Sequence, residues 1–262
     1  MKKILAFFGI LCLLPFSLAA CATQAEKDGT TESSNVATTE ETNMSVADFL
    51  DKVAQANEKV ETVHFDMDLS FQINEDKKSQ DMQADIDYGN TGGTIQRAHA
   101  LIDEVNNGQE TYQEYILPGG EGNPVYLRTS KDGAWEKQLS DGRYYIQPGY
   151  FSFLKILSSM ENDLELEESS DRYTLVIKSQ NIDLVSLFKD ELNLFITGIS
   201  QTEVEKGFKV TFDKKTLYMT GFEMTFEYEG SAGVLHIDVE TAFSSWNQLE
   251  EATLQAPDNA PL

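Results

Sequence analysis

Cysteine is nearly missing from this sequence: of 262 residues only Cys12 and Cys21 carry a thiol, both near the amino terminus. Everything beyond residue 21 must hold its fold by burial and hydrogen bonding, without an internal disulfide. Histidine is as scarce. His64, His99 and His236 have no histidine or cysteine partner at zinc-binding spacing, so no metal centre is expected. Long apolar runs are missing too. The run from Ile4 to Leu14 falls short of the about 20 residues a membrane-spanning helix needs, and no second stretch of its length occurs. There is no nucleophile elbow, no phosphate-cradling glycine loop and no nucleophilic cysteine, so no enzyme and no cofactor are expected. Positive charge is the last shortage. The 20 Lys and Arg face 44 Asp and Glu, a net charge of −24, which repels nucleic acid and anionic head groups.

What is present begins with an address. Lys2 and Lys3 form a positive head, the apolar run follows, and Pro15 and Phe16 lead into Leu18-Ala19-Ala20-Cys21. This is the order of a secretory signal peptide over residues 1–20. The last four residues resemble the lipobox of bacterial lipoproteins. That resemblance implies cleavage before Cys21 by signal peptidase II and a diacylglyceryl group on the Cys21 sulfur, fixing the protein to the outer face of a cell membrane. One acyl chain binds a bilayer marginally and two bind it stably, so a diacylglyceryl cysteine is a lasting anchor.

Residues 22–43 are Thr, Ser, Glu, Ala and Asn with almost no large apolar side chain, a composition that does not offset the entropy of ordering. Residues 21–43 therefore read as a lipidated cysteine and a tether, with a reach of roughly 25 to 30 Å for about 22 flexible residues. A single domain is expected over residues 44–262, as a monomer. Ser45 with Asp48 reads as a helix cap, and Val46, Phe49, Leu50, Val53 and Val60 follow at helical spacing, for about four turns. At Val63 the period becomes two: Val63, Phe65, Met67, Leu69, Phe71 and Ile73 alternate with polar residues. The alternation recurs in Met82 to Tyr88, around Arg97 to Glu104, in Gln109 to Leu117 and in Val125 to Thr129. It returns in Phe208 to Phe212, Phe222 to Tyr228 and Leu235 to Phe243. Helical patterns at Tyr150 to Met160 and Ile182 to Phe195 interrupt it, with a strand at Tyr173 to Lys178 between them. The fold class is α+β: a large antiparallel sheet, apolar on one face and acidic on the other, with few helices to cover the apolar face.

This arrangement behind a lipobox resembles the LolA-like and LppX-like lipoproteins, and more closely an uncharacterised Gram-positive lipoprotein family with that fold. The carriers are Val60-Glu61-Thr62-Val63-His64-Phe65, the turn before Trp135, Asp171-Arg172-Tyr173-Thr174-Leu175, Phe212-Asp213-Lys214-Lys215-Thr216, and Phe243 to Asn247 followed by Pro257. The resemblance implies a curved, half-open barrel whose concave apolar face is covered by an N-terminal helix and two inserted helices, a hollow that relatives use for acyl chains.

On that reading Phe65, Met67, Leu69, Phe71, Phe222, Met224, Phe226 and Tyr228 are candidate lining for a hydrophobic ligand, a lipid acyl chain or a lipopeptide. The same residues also suit a filled core, and the competing function is an acidic envelope interaction or scaffold module with no small-molecule ligand. Asp66 with Asp68, and Asp85 with Asp87, each place two carboxylates on one strand face, which fits a solvated surface better than a calcium or acid–base site.

Overall fold

The computed structural model describes residues 40–41, 44–120, 122, 124–139, 146, 149–192 and 199–259; the lipobox, Cys21, the tether except Glu40–Glu41, and Phe195 lie outside them. Strand β1 (Glu40–Glu41) precedes helix α1 (Val46–Asn57). Ser45 caps the helix: its hydroxyl accepts from the Asp48 amide at 3.1 Å and donates to the Asp48 carboxylate at 2.7 Å. The helix stops at Asn57, short of the four turns expected. The Asn57 amide donates back to Val53 O at 2.8 Å and across to Leu217 O at 3.1 Å, so the side chain that ends the helix also ties it to the sheet.

A meander follows: β2 (Thr62–Ile73), β3 (Asp76–Asp87), β4 (Arg97–Asn106), β5 (Gln109–Leu117), β6 (Pro124–Arg128) and β7 (Glu136–Leu139). Helix α2 (Tyr150–Ser159) then carries the chain to the opposite edge. From there β8 (Leu164–Glu168), β9 (Arg172–Ile177), helix α3 (Leu184–Leu192), β10 (Glu205–Asp213), β11 (Met219–Gly230) and β12 (Gly233–Ser244) return to the middle, before a 3-10 turn at Glu251–Leu254. The strands form one open antiparallel sheet in the order β1-β8-β9-β10-β11-β12-β2-β3-β4-β5-β6-β7. Its centre is the seam where β12 pairs with β2, from Leu235 opposite Ile73 to Ser244 opposite His64.

Turn chemistry sets the hairpins. Asn107 and Gly108 both take positive φ, 50° and 83°, as a two-residue turn between β4 and β5 requires. At the β11–β12 turn Gly233 has φ +120°, and the Asn74 carboxamide occupies the space a Cβ would need while accepting from Val234 N at 2.9 Å.

Alternation puts one face of every long strand in the core. A single register row runs Leu166, Leu175, Val210, Phe222, Thr241, Met67, Met82, Ile102 across eight adjacent strands. The three helices cover this face with rings. Phe49 of α1 meets Phe212 at 5.2 Å, Phe153 of α2 stacks on Phe222 at 4.1 Å, and Phe188 of α3 lies 5.4 Å from Phe208. Each such side chain, fully buried, contributes about 1.5–3 kcal/mol relative to exposure. A buried polar knot fastens α2 to its neighbours. The Tyr150 hydroxyl donates to Asn57 Oδ1 at 2.6 Å and accepts from Met219 N at 3.2 Å, while Tyr150 N donates to the Tyr88 hydroxyl at 3.3 Å.

Three strands depart from the sequence reading. β7 and β8 are short and charged, with too few alternations to register. β1 falls within the stretch read as tether, where Glu40 and Glu41 pair with Glu168 and Glu167; main-chain hydrogen bonding at a sheet edge asks for no apolar side chains.

Candidate ligand-binding face

The eight candidate lining residues share the helix-covered face, but β12 stands between their two strands. Met67 and Phe222 flank Thr241, Leu69 and Met224 flank Val239, Phe71 and Phe226 flank Ile237, and Tyr228 reaches Ile73 through Leu235. Phe65 stands opposite Phe243, with the rings 6.0 Å apart. The β12 side chains Leu235, Ile237, Val239 and Thr241 therefore belong to the same surface, and their apolar phase in the sequence was the available signal.

Burial divides this surface. Phe65, Met67, Phe222, Met224 and Phe226 are buried against helix and strand side chains and act as packed core, and Tyr228 is nearly so. Along β2 burial then relaxes, leaving Leu69, Phe71 and Ile73 half-exposed. Beyond them the face turns polar: Gln80 is opposite Leu69, Lys78 is opposite Phe71, and Lys78 pairs with Glu104 at 2.9 Å. A cavity of about 390 Å³ at the hairpin ends lies mainly on the opposite, polar face, where Ser70, Gln72, Lys77, Ser79, Val105 and His236 are among its walls. A second cavity of about 400 Å³ opens between the start of α1 and β8, with Met44, Val46, Leu164 and Leu166 as its apolar walls. One buried hydroxyl on the apolar face, Thr241 Oγ1, has no hydrogen-bond partner.

The opposite face is electrostatic. Glu223, Glu240, Asp68, Asp81 and Asp103 stand in one register row across five adjacent strands. Lys209 pairs with Glu223 at 2.6 Å and Lys131 with Asp103 at 3.4 Å, so the row is neutralised from its ends. Desolvation and the hydrogen bond and charge of Asp68, with the charge of Asp103, push the Asp81 carboxyl above its ordinary range.

A neighbouring row brings together residues that the sequence shows only as isolated: His64, Asp85 and His99 are directly opposed on β2, β3 and β4. His64 Nδ1 lies 2.6 Å from Asp85 Oδ1, and His99 Nε2 lies 2.8 Å from Glu114 Oε1, while Arg128 holds the same carboxylate through Oε2. Asp87, paired in the sequence with Asp85, is bound instead by Arg97 at 2.6 Å, and Arg97 also grips Glu251 of the carboxyl-terminal turn. Both carboxylates thus have cationic or imidazole partners. Tyr112 donates to Glu114, and burial, then that carboxylate, pushes its hydroxyl up to about 12. Among the described residues no group of three or more His, Cys, Asp or Glu has the geometry to hold a metal ion, and no helix is long and apolar enough to cross a membrane.

Comparison with known proteins follows the fold. The chain is similar to the structure of LprF from Mycobacterium bovis, at 11% identity over 82% of this chain and 97% of that one, TM-score 0.44. It is similar to the lipoprotein LppX of Mycobacterium tuberculosis, at 11% identity over 78% and 96%, TM-score 0.38. A DUF1329 family protein from Desulfovibrio piger matches at 10% identity over 80% and 95%, TM-score 0.27. No curated protein matches the chain. The family model of DUF6612, a family of unknown function, matches residues 45–260, from the cap of α1 to past the last turn, and the chain belongs to that family.

Proposed function

We propose that the protein is an extracytoplasmic lipoprotein, anchored through diacylglyceryl-Cys21, that binds a hydrophobic ligand, an acyl chain or lipopeptide, on the helix-covered face of its sheet. The observation that carries the reading is the strip Leu69, Phe71 and Ile73, partly exposed at the margin of a face whose middle is closed by packed rings. Three large apolar side chains left partly exposed along one strand form an apolar margin that a hydrophobic ligand can cover. Leu18-Ala19-Ala20-Cys21 and the polar stretch behind it support the anchor.

The test is native mass spectrometry of the full chain extracted from its membranes in mild detergent. A stoichiometric acyl species beyond the anchor is expected, and it should be lost in Phe71→Asp at an unchanged unfolding midpoint. A chain with no bound species, in the wild type as in the variant, would leave the second reading, an acidic interaction module, which the five-carboxylate row on the opposite face favours.

A further inference from the structure

Three hairpins end side by side at one end of the sheet, and two asparagines stitch them together. Asn74, in the β2–β3 turn, accepts from Val234 N at the start of β12 at 2.9 Å. Asn107, in the β4–β5 turn, accepts from Lys77 N at 2.8 Å, and its own main-chain amide donates to Lys77 O at 2.8 Å. On the polar face of these fixed ends lies the cavity of about 390 Å³. Small-molecule sites run from roughly 300 to 1,000 Å³, and a site held by rigid elements keeps its geometry before a ligand arrives.

The polar-face walls stand in two register rows. Ser70, Ser79 and Val105 are directly opposed on β2, β3 and β4, and His236, Gln72 and Lys77 on β12, β2 and β3. Elsewhere on this face the donors are engaged: Lys209 by Glu223, Arg97 by Asp87, His64 by Asp85. Here they are not. Among the described residues the Ser70 and Ser79 hydroxyls and the Lys77 ammonium have no partner in the protein. Gln72 gives Nε2 to Asn74 O at 3.0 Å, and His236 gives Nδ1 to Glu227 at 2.5 Å, which leaves Oε1 of the one and Nε2 of the other. Val105, 39% exposed, adds an apolar wall beside the row of carboxylates.

Charge narrows the class of ligand. Asp238 stands opposite Ser70, Glu110 opposite Val105, and Glu227 on His236, so carboxylates flank the rows and repel an anion, as does the net charge of −24. A cation meets Lys77 among the walls, and no described group has the geometry to hold a metal ion. An uncharged molecule with many hydroxyls and an apolar side suits the walls. A sugar ring has both, hydroxyls at its edge and C–H groups on its face.

We infer that this cavity is a binding site for a neutral oligosaccharide. Sugar hydroxyl or acetamido oxygens accept from Ser70, Ser79 and Lys77, and the C–H face of a ring covers Val105. The site lies on the other side of the sheet from the helix-covered face, so it stands apart from the hydrophobic-ligand reading.

The test uses the full chain in a detergent without sugar head groups, titrated with chitotetraose and with cellotetraose and followed by saturation-transfer NMR. At least one is expected to bind in the millimolar range or tighter. Lys77→Met should weaken binding about tenfold, the loss of a hydrogen bond from a charged donor, and Ser79→Tyr should abolish it by filling the cavity. Both positions are exposed, so the unfolding midpoint should stay in place. Slowed hydrogen exchange in the peptides carrying Lys77 and Val105 reads the same site without a variant. Binding of neither sugar at about 10 mM overturns the assignment. So does binding that leaves those peptides and both variants unaffected, which places the sugar elsewhere. Inorganic phosphate bound more tightly than either sugar also overturns it, in favour of an anion site.

Discussion

His64 and Asp85 face each other across β2 and β3 with Nδ1 2.6 Å from Oδ1, and each shifts the other's titration. The hydrogen bond and charge of Asp85, with Asp66 at 3.3 Å from the other ring nitrogen, raise the His64 pKa above its ordinary 6.5 against partial desolvation. Desolvation pushes Asp85 up, but His64, Thr253 and the charge of His99 outweigh it and hold the carboxyl below 3.8. A raised imidazole pKa stabilises the fold fully below the unfolded value and loses that contribution as pH rises through the folded one. A lowered carboxyl pKa does the reverse, contributing above 3.8 and losing its contribution as pH falls through the folded value. The pair therefore contributes most between about pH 4 and 6.5. Thermal unfolding of the wild type should fall more steeply than that of His64→Gln as pH rises from about 6.5 to 8.5. Parallel curves would remove the pair from the account.

The like-charged row on the same face has the opposite sign at neutral pH. Asp81 stands between Asp68 and Asp103, and its raised carboxyl pKa means folding opposes its ionisation. Asp81→Asn should raise the unfolding midpoint at pH 7 by up to about 1 kcal/mol, the range for directly opposed side chains in a sheet. The gain should shrink in about 1 M salt and vanish near pH 3, where the carboxyls are protonated. A midpoint unchanged at low salt would mean the strands relieve the repulsion by other means.

Tyr150→Phe removes one hydroxyl and strands two buried partners, Asn57 Oδ1 and Met219 N. Each unsatisfied buried group costs about 1–3 kcal/mol, so urea unfolding should shift to a lower midpoint by that order at an unchanged slope. An unshifted midpoint would show that the knot adds nothing beyond packing.

Cys21→Ala should leave the precursor uncleaved at that site and without the diacylglyceryl mass, read by fractionation and intact mass. Retention in the membrane fraction at processed mass would refute the lipid anchor.

Local chemistry was readable where a single segment contains it. Ser45 with Asp48 announces α1, and the strict alternation from Val63 to Ile73 announces β2 and its buried face. Short charged segments such as Leu164–Glu168 were not readable, because five residues with three glutamates show too little contrast between faces. Pairing was not readable at all. His64, Asp85 and His99 are separated along the chain, and only the register of three strands aligns them. That Phe153 stacks on Phe222, one of five candidate lining residues that prove to be packed core, depends on where α2 lands, which no local pattern encodes. The burial of Lys206 on β10, 3% exposed, had one signal, its phase with Phe208, Val210 and Phe212, set against a residue type that usually marks a solvated surface.

The seam between β2 and β12 gives the fold a schedule. Asn74 and Val234, bonded across it, are 160 positions apart, so the first long strand must wait for the last before its edge is paired. A chain emerging amino-terminus first can zip β2 to β7 while β2 still presents a bare row of amides and carbonyls. Through that interval the half-finished sheet is a template for other chains. Any truncation before Gly233 makes the interval permanent, so the last tenth of the polypeptide serves as the clasp that takes this protein out of the reach of aggregation.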